Sequence, residues 1–109
     1  MSNALDPVFS LAALVDYQDK AIVSRTLLKK GGGTITLFAF DAGQELSEHT
    51  AAVPAIIQII RGRATLTLGA DSVEAGPGSW VHMPANLTHA VRAEEPTVML
   101  LLLLKTPPA

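Results

Sequence analysis

The chain has 109 residues, 49% of them hydrophobic and 17% charged, with a formal net charge of −2, a pI of about 5.8 and no cysteine. This length predicts a single domain. The lack of cysteine excludes disulfides, thiolate metal sites and cysteine nucleophiles, and the lack of a basic stripe argues against a nucleic-acid partner. The apolar fraction is high for so small a body. Excess apolar surface often forms a subunit interface, so we expect a homodimer.

The N-terminal stretch MSNALDPVFSLAALVDY does not have the features of a signal peptide. It lacks a basic first region, and Asp6, Pro7 and Asp16 interrupt its apolar residues. The other apolar run, at 98–104, is far shorter than the roughly 20 residues needed to span a bilayer. We therefore expect a cytoplasmic protein with no membrane partner.

Taken in chain order, the elements begin with a short N-terminal helix after Ser10, a good N-cap for the residues LAALV. Strands follow where β-branched and apolar residues lie between glycine- and proline-rich turns. Arg61-Gly62 predicts a hairpin turn, and Gly69-Ala70-Asp71 predicts another turn. The predicted strands are 21–29, 34–40, 56–60, 63–68, 72–74, 79–83, 89–93 and 97–105.

Short strands with Gly/Pro turns and almost no helix predict an all-β sandwich or barrel. We expect an N-terminal segment over 1–20, one barrel domain over 21–105 and a frayed tail over 106–109. The leucine run 100–104 does not alternate, so both of its faces should be buried. In a small sandwich the second face needs a cover, which is either the N-terminal segment or a partner subunit.

Three histidines are the main candidates for chemistry: His49, His82 and His89. A lone histidine near a strand end is more often a hydrogen-bonded surface residue than a ligand. Here, however, the chain shows glycine, strand and histidine, then a glycine, and later glycine, strand, proline, turn and histidine. The residues of this pattern are Gly43, His49 and Gly62, followed by Gly78, Pro84 and His89.

The pattern resembles the two motifs of the cupins, which are double-stranded β-helix (jelly-roll, RmlC-like) barrels. The first three of these residues match the glycines and first histidine of G(X)5HXH(X)3–4E(X)6G, and the last three match the glycine, proline and histidine that frame G(X)5PXG(X)2H(X)3N. The stretch GSWVHMPANLTHAV is the most cupin-like part, and the resemblance extends over nearly the whole chain from about residue 14. It implies that the all-β domain is a small cupin jelly-roll barrel.

In metal-binding cupins the first motif supplies two histidines and a glutamate, and the second supplies one histidine. Of that implied ligand set this chain keeps His49 and His89. The remaining motif positions hold Ala51, Ala55 or Ile56, Asn86 and Ala93. A firm metal site needs three or four protein ligands. The sequence thus predicts no firm cofactor and leaves a divalent Zn, Fe, Mn, Ni or Cu ion open, with His82 or water completing its shell.

Two further side chains are pocket candidates. His82 shares a strand face with Trp80, and the sequence does not decide whether that face points into the barrel or belongs to a dimer surface. Gln58 interrupts the run IIQII and is expected to line the pocket together with 56 and 60. Glu45 and Glu48 are expected to be solvated charges in a loop.

These residues suit four functions. The first is a small-molecule-binding cupin with His49, His89, Gln58 and His82 as ligand-binding residues. The second is a metal-dependent oxygenase or isomerase with His49, His89 and His82 as metal ligands. The third is a metal-free isomerase with His49 or His89 as acid/base, which needs an orienting carboxylate. The fourth is a structural dimer. Because two metal-ligand positions are apolar and no inner carboxylate is evident, we expect the binding protein.

Overall fold

The computed structural model describes residues 10–105, which form a 3₁₀ helix at Leu11–Ala13 and nine β-strands. The strands are β1 (Ile22–Lys30), β2 (Gly33–Phe40), β3 (Glu45–His49), β4 (Ala55–Arg61), β5 (Ala64–Leu68), β6 (Asp71–Ala75), β7 (Trp80–Met83), β8 (His89–Ala93) and β9 (Thr97–Leu104). The predicted all-β class is confirmed. The tail expected at 106–109 lies outside the described residues. Within that range, no helix is long and apolar enough to cross a membrane.

The strands form two antiparallel sheets. One has five strands in the order β1-β2-β9-β4-β7, and the other has four strands in the order β3-β8-β5-β6. Neighbours within a sheet are mostly distant in sequence, since β9 lies between β2 and β4 while β8 lies between β3 and β5. The chain therefore passes repeatedly from one sheet to the other, and the two sheets enclose one core between them.

Period-two alternation decides which side chains enter that core. In β4, Ala55, Ile57 and Ile59 are buried, whereas the residues between them are only partly buried. Met99 is the register partner of Ile59 on β9 and is also fully buried. The buried core consists of Phe40, Ala55, Ile57, Ile59, Ala64, Leu66, Ala75, Met83, Val91, Ala93 and Met99.

The two predicted turns have different outcomes. The turn after β5 is confirmed, because Leu68 and Asp71 are register partners of a β5–β6 hairpin. The hairpin at Gly62 is wrong, since β4 and β5 belong to different sheets and the chain crosses between them there. Gly62 is buried with a φ of 90°, and a Cβ at this position would overlap Pro96 and Thr97. Close backbone approach at the crossing therefore requires this glycine.

Strand β3 is absent from the strands that apolar alternation predicts, although the motif pattern places a strand before His49. Glu45 and Glu48 were expected in a loop, but they lie in this edge strand, which pairs with β8 and has a register shift between Leu46 and His49. Four of its five residues are exposed, so it lacks the apolar alternation of a half-buried strand. Beyond this shift His49 pairs with His89 of β8, and this pairing fixes the position of the last residue of β3.

The outer face of the five-stranded sheet is covered over one part by the N-terminal segment. Side chains of both form a second apolar cluster, with Val15, Leu37, Ala39 and Val98 buried and Leu11, Leu14, Tyr17, Val23, Leu27, Ile60 and Leu100 packed against them. Arg25 donates a hydrogen bond of 2.9 Å to the carbonyl oxygen of Leu14. Arg61 Nε donates one of 3.1 Å to the hydroxyl of Tyr17, and its guanidinium carbon lies 5.2 Å from the centre of that ring.

This cover reaches only part of the leucine run that was expected to be buried on both faces. Leu101 and Leu103 pack on the core, and Leu100 packs under the N-terminal segment. Leu102 and Leu104, by contrast, line an open hollow on the outer face. The N-terminal segment is therefore one of the two expected covers, and the rest of the face has no cover in the described chain.

Candidate functional site

Two of the three candidate histidines meet at one end of the barrel. His49 is the last residue of β3, His89 is the first residue of β8, and the two are register partners. Their ring centroids are 4.1 Å apart and their planes make an angle of 63°, so the rings are in edge-to-face contact. His89 alternates with the core residues Val91 and Ala93 of its strand, which places the pair on the inner side.

Each imidazole is held through Nδ1 by the backbone two residues earlier. The Nδ1 atom of His49 lies 2.8 Å from the carbonyl oxygen of Ser47, and that of His89 lies 2.8 Å from the carbonyl oxygen of Leu87. Because a carbonyl oxygen only accepts hydrogen bonds, Nδ1 is the protonated, donating nitrogen in both rings. In the neutral ring this leaves Nε2 as a lone-pair acceptor that is available to a ligand.

The two rings differ in their exposure. His49 is exposed, whereas His89 retains 5% of its accessible surface. Leu68, the register partner of His89, and Leu46 and Leu87, which are close to the pair in sequence, are apolar, partly buried and packed against the core. The site therefore consists of a polar pair on an apolar barrel end, with His49 on the solvent side and His89 on the protein side.

The loop between β7 and β8 positions His89. Asn86 in this loop has a φ of 69°, and its backbone N–H donates a 2.7 Å hydrogen bond to the carbonyl oxygen of Ala51. On the other side, the N–H of Gly69 donates a 2.7 Å bond to the carbonyl oxygen of Thr88. Asparagine tolerates the left-handed backbone better than most residues. Asn86 thus adopts the left-handed backbone conformation that a glycine at this motif position would also adopt.

The structure does not bring Gln58 or His82 to the histidine pair. The inner residues of β4 are Ala55, Ile57 and Ile59, so Gln58 lies on the outer face of the sheet, in register with Trp80. His82 is exposed on that same outer face. The parity argument grouped these residues correctly, but it could not tell which face was the inner one. Their expected place in one pocket with His49 and His89 is therefore corrected.

The two hollows of the surface and the polar side chains of the histidine pair lie in different parts of the molecule. The larger hollow, of about 380 Å³, lies on the outer face and is lined mainly by leucines and glycines of β1, β2 and β9. A second hollow of about 230 Å³ adjoins the N-terminal segment. Neither is lined by His49 or His89. The histidine pair is the candidate site because it brings two polar rings into contact, which an apolar hollow does not provide.

Comparison with known proteins identifies the family. Residues 36–104, more than half of the chain, match the family described as the cupin domain. The chain belongs to the cupin family. The cupin jelly roll is also the fold of a cupin superfamily protein from Desulfitobacterium hafniense, which superposes with a TM-score of 0.88 at 24% identity over 95% of this chain and 94% of the other.

Two other solved structures are similar at higher identity. A protein of unknown function from Streptococcus pyogenes is 30% identical with a TM-score of 0.87, covering 99% of this chain and 93% of that one. A cupin 2 barrel domain protein from Leptotrichia buccalis is 35% identical with a TM-score of 0.85, covering 89% of this chain and 47% of that longer one. An uncharacterized Streptomyces coelicolor protein is 31% identical over 62 residues, which span 57% of this cupin and 59% of the relative.

The residues at the cupin motif positions do not fit a firm metal site. Among residues 10–105, no group of three or more His, Cys, Asp or Glu side chains is placed to hold a metal ion. Ala51 and either Ala55 or Ile56 stand at ligand positions of the first motif, and Ala55 is packed into the core. The pair of Nε2 atoms gives two ligands, one fewer than the smallest protein ligand set of an ordinary catalytic zinc site.

Proposed function

We propose that this cupin binds a small organic molecule at the barrel end, with the Nε2 atoms of His49 and His89 accepting hydrogen bonds from it. The observation that carries the proposal is the pair of Nδ1–H···O=C bonds, which leaves the Nε2 atom of each ring as an acceptor. Both rings are in contact, so a single small group can reach both. The apolar surroundings of Leu46, Leu68 and Leu87 suit the body of the molecule.

The chemistry of the acceptors defines the ligand class. A neutral imidazole nitrogen with a lone pair binds an O–H or N–H donor. The favoured ligand is therefore a molecule with an apolar or aromatic body and a hydroxyl, protonated acid or N–H group at one end. Ligand pockets generally combine an apolar lining with a few polar groups that fix orientation, and the histidine pair supplies those groups here.

The same contacts favour binding over acid/base catalysis. A catalytic histidine that becomes protonated is usually oriented and stabilised by a carboxylate on its other nitrogen. In this cupin the partner of Nδ1 is a backbone carbonyl oxygen in both rings. A carbonyl fixes the tautomer and orientation, but it carries no full negative charge to stabilise an imidazolium. The arrangement supports recognition more directly than proton transfer.

Phenol and anisole form a matched pair of probes, because they share an aromatic ring and differ in the O–H donor. In an NMR titration we expect phenol to shift the resonances around His49 and His89 at lower concentration than anisole does. His49→Ala should remove this preference, whereas His82→Ala, a substitution of an equally exposed histidine on the outer face, should retain it. Equal binding of the two probes to the unaltered protein would refute the proposal.

A further inference from the structure

Each strand of the four-stranded sheet lies opposite one strand of the five-stranded sheet. Short connections join β2 to β3, β4 to β5, β6 to β7 and β8 to β9, and the paired strands follow the same order in the two sheets. Connections this short reach only to a facing strand, because the chain extends by at most about 3.6 Å per residue. Strand β2 therefore faces β3 across the roughly 10 Å that separates packed sheets.

The inner face of β2 becomes polar towards the barrel end that holds the histidine pair. Phe40 belongs to the core and Phe38 packs against it. The next two inner positions are Thr36 and Thr34, and both are only partly buried. The chain runs along β2 and returns along β3 to His49, so the start of β2 and the end of β3 lie at the same barrel end. Two threonine hydroxyls thus lie on the strand that faces His49.

Strand β1 adds a positive charge beside these hydroxyls. Lys29 is the register partner of Thr34, which also pairs with Leu103. Since Leu103 packs against the core, all three side chains lie on the inner face of the sheet. Strand β1 extends beyond the edge of the facing sheet, and Lys29 is exposed. Within residues 10–105 its ammonium has no carboxylate at ion-pair distance, so it can bind an anion from solution.

The rest of this barrel end is apolar. The inner row that starts with Lys29 and Thr34 continues through Leu103, Ala55 and Met83 on β9, β4 and β7. The last two are buried in the core, and Leu103 packs against it. The polar groups are therefore confined to one side of the barrel end, formed by β1, β2, β3 and the start of β8. A molecule with two polar groups on an apolar body matches this division.

We propose that Lys29 and Thr34 bind the carboxylate of a small hydroxy acid whose hydroxyl donates to the histidine pair, an inference that rests on the function proposed above. The lysine ammonium and the threonine hydroxyl both donate to a carboxylate, whereas Nε2 of a neutral imidazole has no proton to donate. The acid group therefore binds at the lysine and the hydroxyl binds at the histidines. An aromatic ring between the two groups holds them apart, as facing strands require. Charge-assisted hydrogen bonds are also roughly twice as strong as neutral ones.

Calorimetric titration of the full chain with matched probes tests the carboxylate subsite. 4-Hydroxybenzoate adds a carboxylate to phenol, and 4-methoxybenzoate lacks its O–H donor. We expect 4-hydroxybenzoate to bind about 5- to 30-fold more tightly than phenol at low salt, and more tightly than 4-methoxybenzoate. Equal affinity for phenol and 4-hydroxybenzoate would refute the subsite, provided that phenol still binds better than anisole. Equal affinity for phenol and anisole would refute the histidine site itself.

Two adjacent lysines of β1 provide matched variants, because Lys29 and Lys30 are both exposed and point to opposite faces of the sheet. Lys29→Gln should reduce the preference for 4-hydroxybenzoate over phenol to about twofold or less, whereas Lys30→Gln should retain it. Thr34→Val keeps the β-branched shape without the hydroxyl and should reduce the preference about threefold. An unchanged preference in Lys29→Gln would overturn the proposal. Equal losses in the two lysine variants would also overturn it, since they would indicate a diffuse effect of net charge.

Discussion

The two faces of β4 show how differently neighbouring residues of one strand are used. Ile57 is 2% exposed and belongs to the core between the sheets, whereas Ile56 is only partly buried and lies on the outer face of the same sheet. Both are isoleucines in the same run, and they differ only in the direction in which the strand pleat turns them. The inner face holds the fold together and ends at the histidine pair. The outer face provides surface for the N-terminal segment.

The polar residues follow the same division. His89 is buried on the inner side with Nδ1 bonded to a carbonyl oxygen, while His82 is exposed on the outer side. Side-chain type alone therefore does not make a site. The inner histidine gains a fixed tautomer and a histidine neighbour, and our proposed ligand site depends on its remaining ring nitrogen.

The largest expected effect comes from the paired substitutions Ile57→Ala and Ile56→Ala. Removal of the buried side chain leaves a cavity in a packed core and should lower the free energy of unfolding by about 2–5 kcal/mol. The outer substitution should cost about 1 kcal/mol or less, because that side chain retains part of its exposure. Urea unfolding at one fixed protein concentration measures both. Equal losses would show that the outer face is as fully covered as the inner one.

A smaller effect is expected for the histidines. His89→Ala leaves the part-buried carbonyl of Leu87 without this donor and should cost about 1–3 kcal/mol. His82→Ala changes an exposed residue and should stay within about 0.5 kcal/mol. The same unfolding measurement applies to both. A loss for His82→Ala as large as that for His89→Ala would contradict the assignment of the two residues to different faces.

The N-terminal cover should depend modestly on the contact between Tyr17 and Arg61. Tyr17→Phe removes the hydroxyl that accepts the 3.1 Å bond from Arg61 and retains the ring beneath the guanidinium. We expect a loss of about 0.5–1.5 kcal/mol in the free energy of unfolding. Amide hydrogen exchange in residues 11–17 should quicken while exchange in β4 stays unchanged. Equal acceleration in both places would indicate global rather than local loosening.

The smallest effect is expected on metal content. Protein purified without chelator or nickel resin, and then loaded with Fe, Mn, Zn or Cu, should retain less than one equivalent of metal by elemental analysis, because two imidazoles form an incomplete ligand set. The double variant His49→Ala/His89→Ala should retain the same small amount. One equivalent in the unaltered protein that is lost in the double variant would favour the metal-dependent alternative instead.

Much of the fold follows from the sequence, since the alternation in β2, β4 and β8 and the glycine and proline turns locate most strands. The motif spacing likewise pairs His49 with His89.

Parity defines which residues share a face but not which face meets the second sheet, and Gln58 was misplaced for this reason. Alternation did not locate strand β3, because it is an exposed edge strand. The Gly62 crossing was missed because a turn glycine looks the same within a sheet and between sheets. The hydrogen bonds from the two imidazoles to backbone carbonyl oxygens depend on backbone geometry, so the identity of the residues does not predict them.

Ligand binding at the barrel end requires that both inner imidazoles present Nε2 as a free acceptor. Long-range ¹H–¹⁵N correlation spectra of the histidine rings report which nitrogen carries the proton in each. We expect the Nδ1–H tautomer for His49 and His89, with the Nε2 resonance of each shifting when phenol is added and not when anisole is added. Protonation at Nε2 in either ring of the neutral protein would contradict it.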